Sequence, residues 1–212
     1  MQRRFASHLP AIVLFLLVIL LWHLMVQVLE IPRYILPKPA LVVERIWIDR
    51  WMLLENLRTT MLSAVIGFVI GVTVALALGT LFIYSKTVER ALTPWAIIIK
   101  TIPALAIAPL LTIWLGFGLA PKIAIAAIAS FFPILVNFQR GLASIKRKIA
   151  ELLALLDAST TQGLVKVRLF AALPFTFAAL KISSGMAVLA AIVAEFTGAN
   201  RALSRSLLNA AG

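Results

Sequence analysis

Chemistry in a protein needs polar side chains held close together, and this sequence keeps them apart. Its 212 residues include eight acids, two histidines and no cysteine. Glu151 and Asp157 are six positions apart with no partner base, so they do not make an acid/base pair. His8 falls in the N-terminal tail and His23 stands alone in an apolar run, and one histidine makes no metal site. The missing cysteines remove disulfides, thiol catalysis and Cys-ligated metal. A membrane-embedded enzyme such as a lipid-modifying transferase would need Asp, His or Ser clustered to bind metal or activate a nucleophile. The scattered acids argue against that alternative, and no catalytic or metal-binding set is expected.

The polar residues that stand out do so because of their apolar surroundings. Lys100 and Lys181 fall inside hydrophobic stretches, where a charge costs about 2.5–3.5 kcal/mol on insertion scales. Two readings are open for each. Either the long stem carries the ammonium to the inner interface, or both face a solute pathway and favour an anion. Glu195, near the outer end of its stretch, is read either as a gate or partner contact or as an interfacial cap. Pro103 and Pro109 interrupt another stretch. Such breaks are tolerated where backbone lines a cavity or packs against neighbours, so pathway lining and simple kinking both remain open.

The surrounding elements must be membrane helices. The chain is 62% hydrophobic and only 13% charged, with mean hydropathy +1.04, against about 45–50% apolar and about 25% charged in soluble domains. The net charge of +12 then reflects basic loops at an anionic membrane surface rather than nucleic acid. A span needs about 20 apolar residues. Five stretches qualify: Leu9 to Leu29, Thr60 to Tyr84, Thr93 to Leu115 (broken by Pro94, Pro103 and Pro109), Leu119 or Ala120 to about Phe138 (with Pro133 inside), and Ala171 to Phe196, entered at Pro174. The first is longer than the apolar region of a signal peptide and is expected to be retained. In the second, Gly67, Gly71, Ala75 and Gly79 recur every four residues, predicting a smooth stripe where another backbone approaches closely. Between the first two, Leu36-Pro37-Lys38-Pro39 reads as a rigid turn. Val42, Val43, Ile46, Trp47, Trp51 and Leu54 follow at helical spacing, predicting one amphipathic helix in the outer interface.

An arrangement with the N-terminus inside places ten basic residues inside and eight outside. The Lys146-Arg147-Lys148 cluster and the Arg3-Arg4 pair favour that orientation. The long inner segment carries the most information. Ile149 to Leu156 predicts a short amphipathic helix, broken at Asp157-Ala158-Ser159. Ser159 and Gln162 have the spacing of a capping box that opens a second short helix, which bears Gly163, Lys166, Val167 and Arg168. Two short helices on the cytoplasmic side would form a knob that another protein could grip.

These segments together resemble the permease subunit of type I ABC importers, in the nitrate/sulfonate/taurine group. The family's cytoplasmic motif is E-A-A-x-x-x-G-x9-I-x-L-P. Glu151 falls on its Glu, Ala154 lies beside its alanines, Asp157 falls on its Gly, Val167 on its Ile and Leu169 on its Leu. Phe170 stands at the motif proline, and Pro174 matches a second proline of the subgroup. The resemblance extends through Ile35 to Pro39, Asn56 to Gly71, Thr101 to Leu110, Trp114 to Gly118, Phe131 to Gly141 and Ile192 to Glu195.

The resemblance implies an all-α integral membrane fold: a polytopic helix bundle of about five transmembrane helices with type I ABC importer permease topology, lacking the last helix. Residues 1–59 would hold the N-terminal transmembrane helix and outer amphipathic segment. Residues 60–212 would form the permease core, with a coupling segment at 145–170. The chain has no G-x-x-x-x-G-K-[ST] loop to cradle phosphates. The implied division of labour therefore gives ATP hydrolysis to a separate cytoplasmic ABC ATPase, with no cofactor in this chain. That ATPase would contact Glu151, Ala154, Asp157, Ala158, Ser159, Gly163, Val167 and Leu169. A second permease copy or sister permease and a periplasmic or lipid-anchored solute-binding protein complete the implied partners, in the cell (inner) membrane. The expected function is inward transport of a small anion or organic solute of nitrate, sulfonate, taurine or pyrimidine-precursor type. The alternative is a degenerate or truncated subunit that assembles without transporting.

Overall fold

The structure is a computed structural model. It describes residues 2–210, and the side chains of these except residues 2–9, 99, 100, 104, 105 and 197–210. All regular structure among the described residues is helical. The chain divides into two compact units, residues 1–57 and residues 58–212.

The first unit holds α1 (Gln2–Val28), α2 (Pro39–Ile48) and the start of α3 (Arg50–Tyr84). The Pro10–Val28 part of α1 is long and apolar enough to cross a membrane. Pro39 opens α2 in the first turn, where its missing N–H costs nothing. The amphipathic stretch expected as one helix is split: Val42 to Ile48 lie in α2, while Trp51 and Leu54 begin α3. The joint is a single residue, Asp49, with φ −91° and ψ 11°. Arg50 staples it by donating to the Trp47 carbonyl at 2.7 Å, with its guanidinium 4.9 Å from the Trp47 ring centre and 5.6 Å from that of Trp51. The second span is consequently the last part of a 35-residue helix. That helix is about 52 Å long at 1.5 Å per residue, against a hydrocarbon core of about 30 Å.

In the second unit, α3 is followed by α4 (Lys86–Thr101), α5 (Ala104–Leu115), α6 (Leu119–Ala143), α7 (Arg147–Leu155), α8 (Thr160–Gly163), a π-helical turn over Leu164–Arg168, and α9 (Leu169–Ala210). The third expected span is therefore two helices. The chain breaks only at Ile102-Pro103, while Pro94 and Pro109 sit inside α4 and α5. Prolines also lie inside α1, α6 and α9, as packing and side-chain hydroxyls or amides allow in membrane helices. In α6, the Asn137 side chain donates to the Pro133 carbonyl at 2.8 Å.

Packing centres on α6. The small-residue stripe of α3 lies against it so closely that a Cβ on Gly67 would fall 2.5 Å from the Ile123 carbonyl oxygen. One on Gly71 would fall 2.7 Å from that of Ala127. On another side, α9 presents Ala172, Ala179, Ser183, Ala187, Ala190 and Ala194, all buried and spaced three to seven residues apart. Small residues let backbones meet and gain dispersion contacts where apolar lipid offers no hydrophobic drive. Gly141 shows this, because its Cβ would lie 2.6 Å from Ala172 Cα. Larger side chains, among them Ile125, Ile134, Leu135 and Phe138, fill the remaining space along α6. The outward faces of α3 and α9 are lined by exposed Leu, Ile, Val and Phe, as lipid contact requires.

Candidate functional site

The segment between α6 and α9 is built by local chemistry. Lys146 is extended and opens α7, where Arg147 Nε meets Glu151 Oε1 at 2.8 Å on the exposed face. The helix ends in a hydrogen-bonded reversal. The Ala158 N–H donates to the Leu153 carbonyl at 3.0 Å, and the Asp157 N–H to that of Ala154 at 3.1 Å. This pairing requires a left-handed residue at the first position past the cap, and Asp157 supplies it with φ +47°. Aspartate tolerates that conformation better than most residues, though less well than glycine. Ser159 then caps α8 with both bonds of a capping box: its Oγ accepts from the Gln162 N–H at 3.3 Å, and its N–H donates to Gln162 Oε1 at 3.0 Å.

Beyond the cap the structure departs from the expected second short helix. From Thr160 the chain runs helically through the π turn into α9, with no break before Pro174. At the turn, the Leu169 N–H reaches back five residues to the Leu164 carbonyl. Leu164 and Leu169 pack there with Phe138, Leu142 and Ala172. Arg168 Nη1 donates to the Leu142 carbonyl at 3.2 Å, and the Tyr84 hydroxyl lies 3.2 Å from Thr161 Oγ1. The amphipathic period of 149–156 is visible from sequence. A π turn is not, because it depends on the packing of α6 against the following helix.

Of the residues expected in this segment, Ala154, Ala158, Ser159 and Gly163 line one groove of about 400 Å3, together with Ile83 and Lys86. Glu151 and Asp157 lie outside it on the exposed surface, Val167 is half-buried in the π turn, and Leu169 joins the core. Leu152, Leu155 and Leu156 are exposed beside Glu151. Asp157→Gly is expected to stabilise the reversal by about 1 kcal/mol, the usual left-handed penalty. Amide exchange across 152–163 should then slow by about fivefold, and unchanged exchange would show that the turn is not strained.

The second region is the helix break. Pro103 is extended, with φ −60° and ψ 130°, and caps α5. Ile102 and Pro103 meet α6 at Phe132 and Asn137, and α9 at Met186, around a cavity of about 480 Å3. Pro109 lies within α5 and is not among its lining residues. Lys181 is exposed on α9 and does not line the cavity either. The Lys100 side chain lies outside the described residues.

Glu195 has partners that spacing along the chain does not reveal. Its Oε1 accepts from Lys122 Nζ at 2.6 Å and from Thr60 Oγ1 at 2.5 Å, joining α9 to α6 and α3. The two charged side chains are 29% and 19% exposed. Lys122 and Thr60 are 73 and 135 positions away, and no sequence signal marks them.

The family described as "Binding-protein-dependent transport system inner membrane component" matches residues 67–212, a stretch that contains the small-residue stripe, the helix break and the α7–α8 reversal. The chain belongs to this family of type I ABC importer permeases. As such the permease is a transport protein rather than an enzyme, multi-pass and all-α. Relatives match it nearly end to end. The riboflavin transport system permease protein RibX of Chloroflexus aurantiacus is 33% identical over 97% of this chain and 76% of its own. The formylaminopyrimidine transport permease protein ThiX of Halalkalibacterium halodurans is 30% identical over 96% of this chain and 81% of its own. The putative aliphatic sulfonates transport permease protein SsuC of Bacillus subtilis is 30% identical over 95% and 72%. Permeases of this kind work with an ATPase and a solute-binding protein. In this one the helices long and apolar enough to cross a membrane are four among the described residues, with Ala106–Leu115 a shorter apolar helix.

Proposed function

We propose that the permease carries a small organic solute into the cell across the inner membrane, with its N-terminus cytoplasmic. A separate ATPase binds the 145–170 segment and hydrolyses the ATP, so that no cofactor resides in this chain. A periplasmic or lipid-anchored binding protein supplies the solute, and a second permease copy or a sister permease completes the pathway. The solutes named for the relatives (riboflavin, formylaminopyrimidine, sulfonates) set the range.

The continuity of α8, the π turn and α9 carries this reading. A partner that pulls on α7 and the reversal pulls on a spanning helix directly, through a capped and hydrogen-bonded turn instead of a slack loop. That is how a cytoplasmic motion becomes a rigid-body movement of the bundle. The exposed Leu152, Leu155 and Leu156 beside Glu151 offer the apolar surface with a charged edge that such a contact needs. The two departures from the family motif leave this path intact. Asp157 adopts the left-handed turn, and helix passes uninterrupted through Phe170.

The test is to tag the chain in its host, solubilise it mildly and identify the co-purifying proteins by mass spectrometry. An ATPase is expected with the wild-type chain and at least about tenfold less of it with Glu151→Arg, which reverses charge on the docking face. A second permease in the same fraction would identify a heteromeric pathway. Isolation of this chain alone in every mild detergent would overturn the reading.

A further inference from the structure

Lys181 occupies the depth at which a membrane tolerates charge least. It lies thirteen residues beyond Arg168 and fourteen before Glu195. Those two side chains tie the ends of the span to polar groups, Arg168 to the Leu142 carbonyl and Glu195 to Lys122 and Thr60. At 1.5 Å per residue the ends are about 40 Å apart and bracket a hydrocarbon core of about 30 Å. Lys181 is therefore near mid-core, about 15 Å from either boundary and beyond the reach of a stem of about 6 Å. It also points away from the bundle. Ala179 and Ser183, two residues to either side, are fully buried. At about 100° per residue that sets Lys181 on the opposite face of α9, where it is exposed. Lys181 has no ion pair among the described residues, and a second copy of the chain could not supply one. Glu55 and Glu195 lie near the ends of their helices, and the other six acids of the sequence fall in none of the helices long and apolar enough to cross.

An ammonium against lipid tails at this depth is the expensive case, and ionisable groups inside membranes accordingly face protein or water. The surroundings of Lys181 leave room for water. The exposed Phe and Ile of the outward α9 face are interrupted here by Ala178 and Gly185, one turn to either side, which are small and exposed. A Cβ on Gly185 meets nothing within 4 Å, and the Ser184 hydroxyl turns back to the Lys181 carbonyl at 3.0 Å. We propose that Lys181 stands in a water-filled passage along the outward face of α9 and sets the charge that a crossing solute meets at mid-membrane. That the far wall is a second permease copy rests on the reading above. Two copies bring two such ammoniums with no carboxylate between them, so the passage repels cations.

The sequence has no cysteine, so a single introduced thiol reports water directly: the reactive form is the thiolate, which apolar surroundings suppress. Gly185→Cys puts that thiol one helical turn from Lys181, with about 5–6 Å between Cβ atoms. Open membrane fragments of the host, which keep the complex assembled, are treated with an anionic or a cationic methanethiosulfonate. Adducts are counted by intact mass after purification. Both reagents are expected to react, and the anionic-to-cationic rate ratio should fall by about tenfold when Lys181→Gln is added. Val69→Cys is the control. Val69 lies opposite the α3 stripe, two residues from Gly67 and from Gly71, is 55% exposed, and should give an unreactive thiol among lipid tails. Ser184→Cys serves if Gly185→Cys lowers the yield of folded chain. An unreactive thiol beside Lys181, a ratio indifferent to Lys181→Gln, or equal labelling of Val69→Cys would each overturn the proposal. The importer reading fails separately: a Lys181-dependent ratio with no ATPase recovered would remove the transport claim and leave the water-filled face. An ATPase-bound complex whose thiol ignores both reagents would do the reverse.

Discussion

Gly71→Leu is expected to destabilise the permease by about 3 kcal/mol or more, the upper end for forcing extra atoms into a packed core. The reason is the identity of the neighbouring atoms. A Cβ at Gly71 would clash with Ser130 Oγ, lie 2.7 Å from the Ala127 carbonyl oxygen and 3.3 Å from the Phe131 nitrogen. Two of those three are backbone of α6 and cannot rotate away, so α3 must retreat along its whole buried stripe. Retreat would open Ala75 and Phe82 from the Ile134–Leu135 cluster they now fill. Gly71→Ala already meets the clash and should cost about 2 kcal/mol, while leucine adds three more carbons in the same place. Gly185 provides the control, since a Cβ there meets nothing within 4 Å. Gly185→Ala should be neutral or gain up to about 1 kcal/mol from helix propensity. Thermal unfolding in detergent, read with the monodisperse fraction on size exclusion, orders the three. Equal melting of Gly71→Leu and wild type would mean that α3 and α6 do not pack through this stripe.

The features legible in the sequence were those written in short-range chemistry. The four-residue recurrence of Gly67, Gly71, Ala75 and Gly79 announces a close helix contact because a helix repeats about that often, although it does not say which helix makes the contact. Ser159 and Gln162 announce a cap because both bonds of the box close within three residues. Asp157 at the break was readable for the same reason. Misreadings arose where two tendencies competed. Pro94 and Pro109 read as breaks in the sequence, yet α4 and α5 continue through them. The helix gives way only at Pro103, where Ile102 and Pro103 border a cavity. The 42–55 stretch kept its helical period across Asp49, so periodicity alone could not show that α2 ends there and α3 begins. Long-range pairings such as Lys122 with Glu195 were beyond reach in principle, because nothing local to either residue depends on the other.

Breaking that last pairing is expected to have the second largest effect, and an unequal one. Lys122 lies in the first turn of α6, where the positive end of the helix dipole disfavours a cation. The Glu195 carboxylate is therefore favoured twice, by Lys122 and by the helix end, and Thr60 adds a hydroxyl donor. Glu195→Ala leaves an uncompensated ammonium in a site where it is 19% exposed, and should cost about 3 kcal/mol, the lower bound for orphaning one partner of a buried pair. Lys122→Ala leaves the carboxylate with Thr60 and the helix end, and should cost only about 1 kcal/mol. Glu195→Gln keeps an acceptor for both donors but removes the charge, and belongs between the two. The exchange Lys122→Glu with Glu195→Lys places a carboxylate on the favourable end of α6 and restores the attraction, so it should recover most of the loss. A difference of about 2 kcal/mol corresponds to roughly 4–8 °C in a chain of this size, which thermal unfolding in detergent resolves. Equal losses for Glu195→Ala and Lys122→Ala would remove the helix end from the account. An exchange variant no better than Glu195→Ala would show that shape, and not charge, ties α3, α6 and α9 together at this point.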